Sequence, residues 1–193
     1  MSDASSAGLL GRFRSKRADG QAFRTADTTG LADRTQLPSL AAAALQRAKA
    51  TSTRCAVGFV NVGELRDIND AHGPAAGDDL LRAVATRLST IDLPNTQVVR
   101  YQGSEFGLVL ERLPNPEAAD EVCEFLIELM RDPFPTGSGS IAVPCHVGLA
   151  LSSDHYAEAN DLVRDAHEAL VRARQSGPNA HYVHDESKRM LHS

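Results

Sequence analysis

Two runs of apolar and branched residues, 97–101 and 105–110, are separated only by Gln102-Gly103-Ser104. A glycine-bearing connection that short joins antiparallel neighbours, so the pair reads as a β-hairpin with the glycine at its tip. The surrounding segments carry a different period. Leu80, Leu81, Val84 and Leu88 fall on one face at helical spacing, as do Ala118, Val122, Leu126 and Leu129, and again Leu162, Ala166, Ala169, Leu170 and Ala173. Residues 37–50, rich in Ala and Leu, predict a further helix with Asp33 as a cap. A strand-length apolar run at 55–62 reads as a central strand, followed by a helical turn over 64–69. After the His72-Gly73-Pro74 break a helix is expected over 78–88. The run 141–151 reads as a strand that Pro144 confines to an edge or a bulge. A last helix over 161–174 stops at Gly177-Pro178, and a short strand near 181–183 closes the pattern. Helices alternating with strands around one hairpin predict an α/β sandwich: a mixed sheet flanked by helices, with the hairpin projecting from one end.

With 193 residues, 42% hydrophobic and 23% charged, the chain supports one globular domain. The expected division is a leader at 1–26, the domain at 27–184 and a tail at 185–193, with no sensor domain attached. Cys55, Cys123 and Cys145 are odd in number and form no CxxC pair, so they read as reduced core residues. No apolar run approaches the ~18 residues of a bilayer span and no signal peptide is evident, so a cytoplasmic location is expected. Arg12, Arg14, Lys16, Arg17 and Arg24 crowd into the leader, whose Ser, Gly and Ala content predicts disorder. The cluster reads either as a solvated tail or as a weak contact for an anionic lipid surface or an acidic partner. The acidic remainder and the lack of interleaved aromatics argue against nucleic acid. The histidines show no HxxxH or HExxH spacing, and Ser104 lies in no nucleophile elbow.

The short motifs add a resemblance. Thr29-Gly30-Leu31-Ala32-Asp33-Arg34, Ile68-Asn69-Asp70-Ala71-His72-Gly73 and Ala76-Gly77-Asp78-Asp79-Leu80-Leu81 look like the TGLxNR and INDxxGHxxGDxxL motifs of GGDEF domains. Tyr101-Gln102-Gly103-Ser104-Glu105-Phe106 resembles their signature loop with two letters changed. Ala169-Leu170-Val171-Arg172-Ala173-Arg174, with Gly177 and Asn179, resembles their ALYxAKxxGxN tail. The likeness covers about residues 27–183. It implies the GGDEF fold and, for an active member, the joining of two GTP molecules into cyclic di-GMP.

The same resemblance locates what is missing. The first aspartate of the family's DxDxFK pattern and the acidic third position of its loop hold magnesium on the GTP phosphates; here those places carry Asn61 and Ser104. Magnesium prefers carboxylate, phosphate and water oxygens, and a neutral amide and hydroxyl are much poorer ligands. No metal site and no Mg2+ cofactor are expected, and hence no catalytic residues. Losing several kcal/mol of metal stabilisation slows turnover roughly a thousandfold or more, at about 1.4 kcal/mol per factor of ten. Glu105 remains beside the loop, either as a weak metal recruiter or as a solvent-facing residue at a strand start.

Asn69 and Asp78 occupy the family's guanine-reading positions, where an amide and a carboxylate suit the base edge. They serve equally well as caps of a turn and of the following helix. Arg66, Arg100 and Arg174 stand where the family contacts phosphate. Gln102 replaces the first loop glycine, Pro74 a usual histidine, His167 an aspartate and Val171 a tyrosine. The product-binding RxxD motif falls on Leu93 and Thr96, so no cyclic di-GMP inhibition site is expected. Three functions follow in order: an inactive domain that binds another protein, a guanine-nucleotide-responsive module without turnover, and a slow or partner-completed cyclase. The resemblance also implies a second copy as a candidate partner, because catalysis in this family occurs where two domains face each other.

Overall fold

A computed structural model describes residues 29–93 and 95–185. The expected leader and residues 186–193 of the expected tail lie outside the described residues. The elements run β1 (Ala32–Asp33), a 3-10 turn (Arg34–Gln36), α1 (Leu37–Thr51), β2 (Arg54–Val62), α2 (Leu65–His72), α3 (Pro74–Leu88), β3 (Gln97–Gln102), β4 (Glu105–Leu113), α4 (Glu117–Leu129), β5 (Phe134–Thr136), β6 (Gly139–Ile141), β7 (Cys145–Leu151), α5 (Ala159–Gln175) and β8 (His181–His184).

Six strands form one mixed sheet in the order β1-β3-β4-β2-β7-β8. The expected hairpin is β3–β4, antiparallel, and β2 is central, antiparallel to β4 on one side and β7 on the other. Only β1–β3 and β7–β8 run parallel in this sheet. Every residue of β2 after Arg54 is buried, as a strand covered on both faces requires. One face packs Val60, Phe106 and Leu108 against Leu80 and Val84 of α3 and Val122 and Leu126 of α4. The other packs Val57 and Phe59 against Leu37 and Leu45 of α1 and Leu162 and Leu170 of α5. Arg47 of α1 closes that second layer with a bidentate pair to the buried Glu111 of β4, at 2.9 and 2.6 Å.

The structure corrects four local expectations. α3 begins at Pro74, not at residue 78, because proline suits the first helical position, where no intrahelical N–H bond is needed. Asp78 therefore lies inside the helix and caps nothing. Asp33 caps the 3-10 turn before α1, accepting from the Thr35 N–H at 2.7 Å. Pro144 ends no edge strand: β7 starts one residue later and is internal, while residues 134–141 fold into a separate two-stranded hairpin, β5–β6. Among the described residues no helix is long and apolar enough to cross a membrane.

One contact sets the geometry of the whole end of the sheet. A Cβ placed on Gly148 of β7 would lie 1.9 Å from the backbone nitrogen of Leu170 and 2.4 Å from its Cα. Only hydrogen at this position lets α5 lie directly on the strand. That close docking accompanies the approach of His167 and Arg174 of α5 to Glu105, the first residue of β4.

Candidate functional site

The hairpin turn is shaped from below by Arg100. This side chain is buried, donates from Nη1 to the Glu105 carbonyl at 2.8 Å and from Nη2 to the Gly103 carbonyl, and lies 4.7 Å over the Phe106 ring. The arginine that the resemblance assigns to phosphate thus has its guanidinium turned onto the loop's own carbonyls. Gly103 turns at a φ of 51°, and Gln102 is exposed at the tip.

Asn61 stands at the centre of the site. In the sheet register it is directly opposite Glu105 of β4 and His146 of β7, and residues directly opposite share a face. Asn61 is 5% exposed, and its Nδ2 donates to Ser104 Oγ at 2.9 Å while the Val62 N–H donates to the Ser104 carbonyl at 3.1 Å. The two positions where the resemblance places acidic metal ligands are therefore joined to each other by a neutral hydrogen bond. An amide and a hydroxyl already bonded together do not fit a hard divalent cation. Among the described residues no group of three or more His, Cys, Asp or Glu side chains is arranged to hold a metal.

Glu105 is not the solvent-facing residue that its strand-start position suggests. It is 8% exposed, with Oε2 3.2 Å from Nε2 of His167 and Oε1 3.9 Å from the Arg174 guanidinium. His167 is framed by Phe59 at 5.1 Å, edge-on, and by Tyr101 at 5.9 Å. His146 is a participant that sequence reasoning missed. Its Nε2 lies 3.0 Å from the Gly177 carbonyl and its Nδ1 is buried without a hydrogen-bond partner. Burial lowers its pKa below the ordinary imidazole value, and the positive charge of Arg174 acts in the same direction. The signal for His146 was strand alternation, but using it requires the β2–β7 register, which no local pattern supplies.

Asn69 and Asp78 lie on the paired helices α2 and α3. A Cβ on Gly77 would fall 2.0 Å from Asn69 Oδ1, so that glycine makes room for the amide. Oδ1 is buried and has no hydrogen-bond partner. Asp78, one residue on, is exposed. Arg66 projects from α2 into solvent, 3.9 Å from Asp70. Arg174 is half-exposed above Glu105. Leu93 packs partly against the core, and Thr96 donates its N–H to the Leu93 carbonyl at 3.1 Å.

Comparison with known proteins assigns the fold to a family. The sequence profile described as diguanylate cyclase, GGDEF domain, matches residues 25–180. An uncharacterised signalling protein of Caulobacter vibrioides is 33% identical over 150 residues, which cover 77% of this chain and 18% of that protein. The cyclic di-GMP phosphodiesterase PdeR of Escherichia coli is 28% identical over 153 residues, covering 79% of this chain and 23% of that protein. The chain thus spans about a fifth of the length of these curated relatives. Among solved structures, the GGDEF domain of TpbB from Pseudomonas aeruginosa superposes with a TM-score of 0.78 at 25% identity, covering 88% of this chain and all 100% of that one. A sensory box/GGDEF family protein from Caulobacter crescentus gives a TM-score of 0.74 at 33% identity, over 80% of this chain and 100% of the other. Residues 25–180 make this chain a member of the GGDEF family.

Proposed function

We propose that this is a GGDEF domain of a cyclic di-GMP signalling protein that does not synthesise the dinucleotide and acts by binding another protein. One observation carries the reading: Asn61 Nδ2 is hydrogen-bonded to Ser104 Oγ at 2.9 Å, a neutral, mutually satisfied pair where the family's chemistry needs negative oxygen. Two neighbouring groups point the same way. Arg100 serves the turn carbonyls, and Glu105 is engaged by His167 and Arg174. Without cation-assisted polarisation of the attacked phosphate, the half-exposed Arg174 above Glu105 is the positive side chain left beside the pair among the described residues, and a single guanidinium is a weaker substitute for a divalent cation. Purified protein given GTP with Mg2+ or Mn2+ is expected to yield no cyclic di-GMP. Detectable product would overturn the reading and revive the slow or partner-completed cyclase.

The orphaned Oδ1 of Asn69 favours a second reading, in which a guanine nucleotide binds without turnover. A buried acceptor left unpaired costs about 1–3 kcal/mol, and rotation of the amide away from Gly77 would present it to a base-edge N–H. Calorimetric titration with GTP, with and without Mg2+, tests this. Metal-independent binding that Asn69→Ala and Asp78→Ala abolish supports it, and unchanged affinity in those variants rejects these residues as readers.

A further inference from the structure

At the end of the sheet away from the β3–β4 turn, three stretches of chain enclose a depression of about 350 Å³. They are the last turns of α1, the Ser52-Thr53-Arg54 connection into β2, and Ser152-Ser153-Asp154 after β7. Arg54 begins β2 and Asn61 stands near its other end, so the depression lies about 24 Å from the Asn61–Ser104 pair at roughly 3.4 Å per residue. Neither Leu93 nor Thr96 lines it.

Apart from Leu45 and Ala48 the lining is polar, and two of its side chains are cations tethered to backbone rather than to carboxylates. Lys49 Nζ donates to the Tyr156 carbonyl at 2.8 Å, and Arg54 Nη1 donates to the Ser152 carbonyl at 3.1 Å. These bonds hold both heads in place and leave most of their N–H groups available. Neither cation forms an ion pair among the described residues; Asp154, which also lines the depression, is exposed.

Ser153 supplies an independent signal. Its Oγ is buried and has no hydrogen-bond partner, whereas the neighbouring Ser152 Oγ accepts from the Cys55 N–H at 2.9 Å. A water molecule would satisfy the Ser153 hydroxyl and leave two positive charges without a counter-charge. A phosphate group answers all three, because its oxygens accept from a hydroxyl, an ammonium and a guanidinium at once. The C-terminal end of α1 contributes about half a negative charge nearby and Asp154 a full one, and the two cations exceed both. The volume lies near the lower end of the roughly 300–1,000 Å³ of small-molecule pockets, so the ligand is small.

We infer that this depression is a phosphate site, taking inorganic phosphate or a small phosphomonoester on Lys49, Arg54 and Ser153. Its occupancy ties the end of α1 to the connection between β7 and α5, which Tyr156 already links to α5 through its hydroxyl on Asp165 at 2.9 Å.

Amide NMR of the isotope-labelled full-length protein tests this by titration with sodium phosphate, the ionic strength being held constant with sodium chloride. Amides of residues 52–54 and 152–154 are expected to shift saturably, and Lys49→Gln/Arg54→Gln should abolish the shift. Dispersion of the same spectra shows whether that variant is folded. Ser153→Ala separates binding from structure, because Ser153 Oγ makes no bond within the protein. Phosphate affinity should fall roughly tenfold in this variant, while the melting temperature of the phosphate-free protein does not fall. Tighter binding of phenyl phosphate than of inorganic phosphate would assign the site to monoesters, and the reverse order to the free ion. The assignment is overturned by the absence of a saturable shift, by shifts centred on Arg174 instead, by equal affinity in Ser153→Ala, or by the same shifts from acetate.

Discussion

Replacing Asn61 and Ser104 together by aspartate tests the central argument, because it exchanges a bonded neutral pair for two facing carboxylates. The magnitude follows from the geometry. The 2.9 Å hydrogen bond is lost, at about 1 kcal/mol. Two like charges about 4 Å apart, at an effective dielectric near 20, repel by about 4 kcal/mol, of which protonation of one carboxyl recovers a part. In EDTA at neutral pH the variant should therefore be several kcal/mol less stable than the parent. The repulsion raises the folded-state pKa of one carboxyl above its unfolded value. The penalty is then small below the unfolded pKa and grows as pH rises through the folded one. Mg2+ or Mn2+ at about 100 times its dissociation constant should return about 2.7 kcal/mol to the variant and nothing to the parent. Urea denaturation followed by circular dichroism, with EDTA and with cation, reads both numbers. Equal stabilisation of parent and variant by the cation, or no penalty in EDTA, would refute the claim that these two positions decide metal binding. A variant that binds metal and still makes no cyclic di-GMP would transfer the remaining deficit to Gln102 and the other altered positions.

Other perturbations probe the scaffold around this pair. Glu105→Ala removes the contacts to His167 and Arg174 and should cost roughly 1–3 kcal/mol, with faster hydrogen exchange at the β3–β4 turn; unchanged exchange would mean that α5 does not hold the loop. Gly148→Ala puts a methyl 1.9 Å from the Leu170 backbone nitrogen; overpacking of about 3 kcal/mol, at roughly 2–4 °C per kcal/mol for a domain of this size, should lower Tm by at least about 5 °C, and an unchanged Tm would contradict the close docking of α5. His146 has its folded-state pKa depressed below 6.5, so the folded state binds fewer protons there than the unfolded state. Its contribution is present above 6.5 and lost as pH falls from 6.5 through the folded value, and His146→Gln should flatten the stability profile in that window.

What the sequence made legible was periodic or local. The faces of α3, α4 and α5 follow from helical spacing, and the β3–β4 hairpin from a turn too short for another connection. What it hid depends on register and depth. Nothing near residue 61 says that Asn61 will meet Glu105 on one side and His146 on the other, because pairing across three strands is set by the assembled sheet. Glu105 looked exposed because it begins a strand after a turn. Its burial comes from α5, which is brought close by Gly148, 43 residues further along the chain. The β5–β6 hairpin escaped notice because each strand has three residues, too few to show alternation. The start of α3 is hidden because the same His72-Gly73-Pro74 run that reads as a break supplies, in Pro74, the first residue of the helix.

The Asn61–Ser104 bond also bears on why the signature hairpin persists without the residues that would charge it. Two carboxylates at these positions need a cation: without one, the repulsion worked out above would push the β3–β4 turn away from β2. An amide donating to a hydroxyl removes that requirement, and the Val62 N–H to Ser104 carbonyl bond then holds the same turn against the same strand. Arg100 beneath and Glu105 beside it complete the anchoring with contacts internal to the domain. The turn is thus held by bonds that need neither metal nor nucleotide. The loop's geometry should accordingly be indifferent to EDTA, whereas that of the Asn61→Asp/Ser104→Asp variant should not.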